Sequence, residues 1–431
     1  MRFIVFNSIL LLALDFYIYK ALRATNIKWA KTKTFSILWW SYSALLFIGI
    51  IGTVYFDLRL TVRSVVLVAF FITFVTKLVF SLFFLIDDVR RGGIWIKRRL
   101  FSPTPVNQES DPITNQALKI EEVETNKEKS RITRSDFLAK TGIVLAALPF
   151  TTLSWGIVSG AYDYRVRRQK LYLANLPKAF HGMKIGQISD IHSGSFYNQK
   201  AVTGGVEMLL SEKPDMIFFT GDLVNNLASE LKDYKDIFAK LHAPLGVYSV
   251  LGNHDYGEYH FGHAPSAAKA RNLQQIKQAQ KEMGWDLLLD EHRVIQVDNE
   301  KLGILGIENW GAGGRFPQYG DLSSALKGTD QLPVKLLLSH DPSHWRAQVL
   351  GNTDVDAMFS GHTHGMQFGV RTKHFQWSPV QYIYKEWAGL YEENHQKLYV
   401  NTGFGFLGYP GRVGILPEIT IFELVSATEA S

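Results

Sequence analysis

Residues 35–56, FSILWWSYSALLFIGIIGTVYF, contain no charged side chain, and residues 64–86, SVVLVAFFITFVTKLVFSLFFLI, contain only Lys77. The hydrocarbon core of a bilayer is about 30 Å thick and takes about 20 apolar residues as helix. Inside it every backbone amide must find its partner within the chain, which leaves only helices or closed barrels. Neither run alternates as a barrel strand does, so both predict transmembrane helices. An earlier run, FIVFNSILLLALDFYIY from residue 3, is broken by Asn7 and Asp15 and lacks the small-residue cleavage site of a signal peptide. It is expected to be a further span, over about 3–20.

Basic residues orient these helices. Lys20, Arg23, Lys28, Lys31 and Lys33 fill the first connection, Asp57, Arg59 and Arg63 the second, and Arg90, Arg91, Lys97, Arg98 and Arg99 follow the third run. Basic loops stay cytoplasmic, which puts the first connection and the segment after residue 86 inside. Residues 1–99 are thus read as a transmembrane bundle and 100–140 as a polar, disordered linker. A fourth apolar segment, 141–160, is transmembrane or signal-like. Its lead-in, SRITRSDFLAKTG, resembles a twin-arginine export signal in which Ser135 replaces the second arginine. A fourth crossing places residues 161–431 outside the cytoplasm, the expectation adopted here. Arg165, Arg167, Arg168 and Lys170 immediately after it argue for the alternative, a buried or interfacial helix. For the two lone charges in the apolar runs, the expectation is that Lys77 snorkels and Asp15 lies near the interface, with mutual pairing as the alternative.

The rest of the chain has a different texture. Short β-type runs at 184–189, 216–220, 247–251, 302–307, 334–339, 356–360, 397–401 and 418–424 alternate with amphipathic stretches at 199–212, 228–241 and 265–283. Such alternation predicts a layered α/β domain, whose ligands gather at strand ends. The strand ends here carry SDIH (Asp190, His192), TGDLVNN (Asp222), LGNHD (Asn253, His254, Asp255), SHDPSHW (His340) and GHTHG (His362, His364). With no cysteine in the chain, a metal has to be held by oxygen and imidazole, a donor set suited to Mn, Fe, Zn or Mg. Seven such donors are too many for one ordinary ion and suit two divalent metal ions sharing a carboxylate. Taken singly, each block has an ordinary explanation: Asp190 as a turn residue, Asp222 as a helix cap, His340 as no more notable than His344, which is read as packing or as a supporting partner behind the site. Five blocks in order at five strand ends do not.

The ordered set D-x-H, G-D, G-N-H-D, H and G-H-T-H resembles the calcineurin-like metallophosphoesterase family over about residues 182–425. The resemblance implies a four-layer αββα sandwich, preceded here by the bundle of transmembrane helices. It implies that Asp190, His192 and His364 hold one ion, that Asn253, His340 and His362 hold the other, and that Asp222 bridges. It also implies that His254 stabilises developing charge or protonates the leaving oxygen, with Asp255 orienting it. Arg412, in a Gly-rich turn before the last strand, is a candidate contact for a substrate phosphate, or else an exposed salt-bridging arginine. The aromatic insert 374–391 is either a lipid- or nucleobase-facing wall or ordinary packing. The expected activity is hydrolysis of phosphate esters by a metal-bound hydroxide, at the membrane, on a phosphorylated small molecule or a lipid-linked or cell-envelope phosphate. The formal charge of +6 lies largely beside apolar segments, so nucleic acid is not an expected partner. The alternatives are a non-catalytic scaffold and a membrane sensor built on the same fold.

Overall fold

The computed structural model describes residues 2–56, 60–101, 134–314 and 316–426. Most of the expected linker (102–133), and Asp57 and Arg59 of the second connection, lie outside the described residues. The chain divides into two units, 1–152 and 153–431.

The first unit is helical. α1 (Arg2–Ala24), α2 (Lys33–Tyr55), α3 (Leu60–Phe101) and most of α4 (Arg134–Val158) compose it. Among the described residues, Lys33–Thr53, Val65–Leu100 and Asp136–Tyr162 are long and apolar enough to cross a bilayer. The helices outrun their apolar stretches: α3 continues through the basic residues to Phe101, and α4 begins at Arg134.

The lone charges behave differently from the expectation. Lys77 of α3 does not snorkel: it is buried and ion-paired to Asp15 of α1, itself fully buried. Trp39 and Tyr42 of α2 add their ring faces at 4.8 and 5.7 Å from the ammonium. An ion in an apolar surround has the highest free energy when alone, so pairing plus two cation–π contacts displaces the snorkelled arrangement.

The second unit holds two six-stranded sheets. The first runs β1 (Arg165–Leu173), β14 (Glu418–Ser426), β2 (Lys184–Ile188), β3 (Met216–Phe219), β4 (Val247–Ser249) and β5 (Asp286–Leu287). The second runs β12 (Gly389–Glu393), β13 (Gln396–Val400), β9 (Ala357–Ser360), β8 (Lys335–Leu338), β7 (Glu300–Gly306) and β6 (Glu291–Val297). A separate hairpin pairs β10 (Val370–Arg371) with β11 (Gln376–Trp377). β2, β3, β4 and β5 run parallel, as do β7, β8, β9 and β13. Parallel sheets are buried on both faces, which is why their strands read as unbroken apolar runs.

Three separate apolar clusters mark four layers. Phe218, Leu338, Phe359 and Phe422 fill the space between the sheets, with Phe359 edge-on to Phe218 and Phe422 at 5.1 and 5.0 Å. Val202, Val206 and Leu209 of α5 (Gln199–Ser211) and Ile276 of α8 (Ala267–Glu282) cover the outer face of the first sheet. Leu322 and Ala325 of α9 (Leu322–Leu326), with Trp345 and Val349, cover that of the second. The result is the expected αββα sandwich. Gln187, buried between the sheets, donates to Ser360 O and Thr220 Oγ1, each at 3.1 Å, and ties β2 to β9 where both strands end.

The expected helix over 228–241 is replaced by a 3₁₀ turn, Ala228–Leu231, and one helical turn, α6 (Lys235–Phe238). Glu230 explains the break: its carboxylate accepts from the amides of Asn225, Asn226 and Leu227, holding the loop in a form that competes with helix. Another short helix, α7 (Glu258–Phe261), follows β4.

Candidate metal centre

The strands of both sheets stop at one place, and there the backbone turns hard. Asp190 (φ 51°), His192 (49°), Asp222 (59°), His362 (71°) and His364 (50°) all adopt the left-handed region. That conformation costs a non-glycine residue roughly 1–3 kcal/mol and persists only where surrounding contacts impose it. Five of the seven expected ligands carry it. Glycines let the loops approach: a Cβ on Gly361 would lie 2.1 Å from Asp190 Oδ2, and one on Gly252 2.3 Å from Asp222 Oδ1. Each carboxylate then takes a backbone hydrogen bond from a facing loop, Asp190 from His362 N at 2.9 Å and Asp222 from His254 N at 2.8 Å.

The donors converge in two groups, Asp190, His192 and His364, and Asp222, His340 and His362. In the first, His192 Nε2 and His364 Nε2 face each other at 3.0 Å, and Asp190 Oδ1 is 3.3 Å from the latter. In the second, His340 Nε2 lies 3.1 Å from Asp222 Oδ2 and 3.2 Å from His362 Nδ1, which is 2.9 Å from Asn253 Oδ1. Asp222 Oδ2 is also 3.5 Å from His192 Nε2, so one oxygen faces both groups. Two imidazole nitrogens each bound about 2.0–2.1 Å from a tetrahedral ion stand about 3.3 Å apart. The observed spacings fit that arrangement, and the residues fit a pair of divalent ions. Burial holds His192 well below its usual range and therefore neutral, as a ligand must be.

Outer partners aim these groups. Thr220 O accepts from His340 Nδ1 at 2.7 Å, leaving Nε2 for the centre. Tyr384, from the aromatic insert, is 2.9 Å from His362 Nε2, and the Asn253 amide donates to Tyr259 at 3.1 Å, which turns its oxygen inward. Tyr259 also stacks on His254 at 4.5 Å between ring centroids. Neither Tyr259 nor Tyr384 belongs to the polar blocks, and Thr220, which opens one of them, acts through its backbone carbonyl. The one sequence signal for Tyr384 is its place in the aromatic insert.

Two expectations need correction. Asp255 does not touch the His254 side chain. It accepts four backbone hydrogen bonds, from Asp222, Leu223, Val224 and Gly252, and so fastens two ligand loops together. Neighbouring residues in a tight turn point apart, and His254 Nδ1 instead meets Asn225 O at 2.8 Å. Arg412 is not an exposed, salt-bridging arginine. It is 1% exposed and donates to the carbonyls of Thr402, Gly403, Gly405 and Ile415, with Nη2 3.2 Å from His364 Nδ1. Its guanidinium closes the 402–415 loop beneath a ligand. His344 is fully buried between Ser339 and Gln348, in keeping with packing.

The family model described as calcineurin-like phosphoesterase matches residues 183–366, and that described as probable calcineurin-like phosphoesterase, transmembrane domain, matches 1–161. The uncharacterized metallophosphoesterase YkuE of Bacillus subtilis is 30% identical over 257 residues, 58% of this chain and 82% of that one. The chain belongs to the calcineurin-like metallophosphoesterase family. A zebrafish (Danio rerio) metallophosphoesterase relative, named a transmembrane protein with metallophosphoesterase domain, is 27% identical over 66% of this chain. The match spans 63% of that relative's length. Phosphodiesterase YaeI of Escherichia coli is 26% identical over 56% of this chain and 82% of its own. This metallophosphoesterase is a membrane protein: a transmembrane-domain match coincides with the helices that, among the described residues, are long and apolar enough to cross a bilayer.

Proposed function

We propose that the protein is a multi-pass membrane phosphoesterase that hydrolyses phosphate esters with two divalent ions. The observation that carries this reading is the single oxygen, Asp222 Oδ2, shared by two buried ligand groups. Asp190, His192 and His364 would hold one ion and Asn253, His340 and His362 the other, with Asp222 contributing to both. Such ions supply Lewis acidity and a water acidic enough to attack phosphorus near neutral pH. The chain's own groups do the rest. His254 keeps a proton on Nδ1 through the Asn225 carbonyl, and its other nitrogen is the one that gives a proton to the departing oxygen. Asp255 and Arg412 fix the loops that carry the ligands.

Membrane attachment favours substrates at the bilayer, lipid-linked or cell-envelope phosphates, with the second unit outside the cytoplasm. The basic run after residue 160, which argued for the cytoplasm, has a structural use. It forms the edge strand β1, where Arg167 meets Glu418 at 3.7 Å and Lys170 meets Glu423 at 3.8 Å. Charged side chains on an edge strand protect it from pairing with another chain.

The test is turnover by the full-length protein in detergent, stripped with chelator, of a chromogenic phosphomonoester and a phosphodiester. Restoration by Mn, Zn, Fe or Mg is expected, and His254→Ala should lower kcat by about 10²–10⁴-fold at unchanged metal content. Two bound ions with no turnover on either ester or on lipid phosphates would favour the scaffold reading instead.

A further inference from the structure

Three residues beyond His364, the usual rule of burial inverts. Met366, Phe368 and Val370 are exposed, while Gln367 between them is 4% exposed and Gly369 is buried. The segment is a 3₁₀ turn, His364–Gln367, leading into β10, and a turn on a water-soluble surface ordinarily presents its polar side chains outward. Here the polar side chain is inside, where Gln367 donates to Tyr409 O and Gly411 O and accepts from Leu407 N.

The adjoining hairpin extends this face. β10–β11 pairing sets Trp377 opposite Val370, and the turn between the strands carries Phe375, which is exposed. Tyr382 is 77% exposed. Lys373 and Lys385 are exposed on the same segment. Apolar and aromatic side chains bordered by lysines are the composition of a surface that lies in the interfacial region of a bilayer.

The backbone connects this face to a candidate membrane span. Gly369 N donates to Val413 O at 2.9 Å, and Val413 N to Gln367 O at 2.8 Å. Arg412 N in turn donates to Gly156 O at 3.1 Å, and a Cβ on Gly156 would lie 2.7 Å from Val413 Cγ2. Residues 153–158 end the span Asp136–Tyr162 and belong to the same compact unit as the hairpin. Their Trp155 and Val158 are 69% and 81% exposed. One stretch of chain, 409–413, therefore separates the end of a candidate membrane helix from the exposed apolar turn.

We propose that the rim formed by Phe368, Val370, Phe375, Trp377 and Tyr382 is a bilayer-docking surface whose occupant is lipid. It sits next to the centre: Met366 is two residues from His364, and Tyr384, two residues from Tyr382, bonds to His362. Docked in this way, the centre takes lipid headgroup phosphates from the membrane surface, a consequence that rests on the phosphoesterase reading above. The docking itself does not rest on it.

The chain has no cysteine, so one introduced thiol takes a nitroxide label uniquely. Full-length protein labelled at Phe375→Cys, and separately at Tyr382→Cys, is reconstituted in vesicles of phosphatidylcholine and phosphatidylglycerol. Collisions with oxygen and with a water-soluble nickel chelate are compared with those of a label at exposed Lys240→Cys. Docking gives both rim labels a severalfold higher oxygen-to-nickel ratio than Lys240→Cys. Equal ratios at all three positions overturn the proposal. So does spin–spin broadening at the rim that disappears on dilution with unlabelled protein, because a second copy would then cover this face. Neither readout needs turnover, so a failed phosphoesterase assay leaves the result interpretable.

Discussion

At the scale of single residues, the centre separates side chains that bear ligand atoms from those that aim them. Asp222 serves both groups, whereas Asn253 reaches only the second. Asp222→Ala is therefore expected to reduce bound metal from about two per chain to below one. Asn253→Ala should leave one ion in place, both counted by elemental analysis after dialysis. Equal losses in the two variants would remove Asp222 from the bridging role. The ligand types were legible because Asp, Asn and His stand in short blocks beside glycine. Their partners were not: a backbone carbonyl such as Asn225 O leaves no mark on residue identity, and Tyr384 is one tyrosine among 18.

Among the elements, the strands that sequence reading found are the ones buried on both faces. The missed ones are at the margins. β1, RVRRQKLYL, and β12, GLYEE, are edge strands, and β6 is EHRVIQV. Charge on an edge strand masks the apolar alternation that would announce it. The same margin holds a buried charge. Glu418, at the start of β14, pairs with Arg371 of the hairpin and accepts from Thr402 Oγ1 at 2.7 Å. Burial opposes its ionisation, but Arg371 and Arg167 outweigh that and hold the carboxyl down to about 2. An unfolded glutamate titrates at about 4.3. The folded value is the lower one, so this contribution is complete above about pH 4.3 and is lost as pH falls toward 2. Glu418→Gln should destabilise the protein near neutral pH by about 3–5 kcal/mol, because it leaves Arg371 buried and unpaired. It should also flatten the acid limb of the stability curve, measured by chemical denaturation from pH 7 to 3. An unchanged acid limb would mean that the pair does not govern that limb.

For the molecule as a whole, each unit has its own source of stability. In the first, the Asp15–Lys77 pair joins α1 to α3 across 62 positions. Removing one member strands a buried charge at a cost of about 3–5 kcal/mol, and removing both does not. The Asp15→Leu, Lys77→Leu double variant should therefore be more stable than either single variant in a detergent unfolding assay. A double variant no better than the worse single one would argue against the pair. In the second unit, contacts such as those of Asp255 and Arg412 tie the five loops, and bound ions would add to them. An ion at about 100 times its dissociation constant contributes about 2.7 kcal/mol. Chelation should then lower Tm by about 5–10 °C per site at about 2–4 °C per kcal/mol. A chelator-insensitive Tm would show that the loops are already held by protein contacts alone.

By itself the sequence determined the apolar spans, the layered α/β class, the order of the five polar blocks and the kinds of donor they bring. All of these depend on neighbours in the chain, and composition and periodicity record such neighbours. Only the tertiary structure decided which donor faces which. His192 meets His364 across 172 positions, Asp15 meets Lys77 inside the helical unit, and Arg412 turns inward to carbonyls rather than outward to solvent. Asp255 likewise binds amides of a facing loop in place of the adjacent histidine. Each outcome balances desolvation against the partners available, and those partners exist only once distant segments have packed.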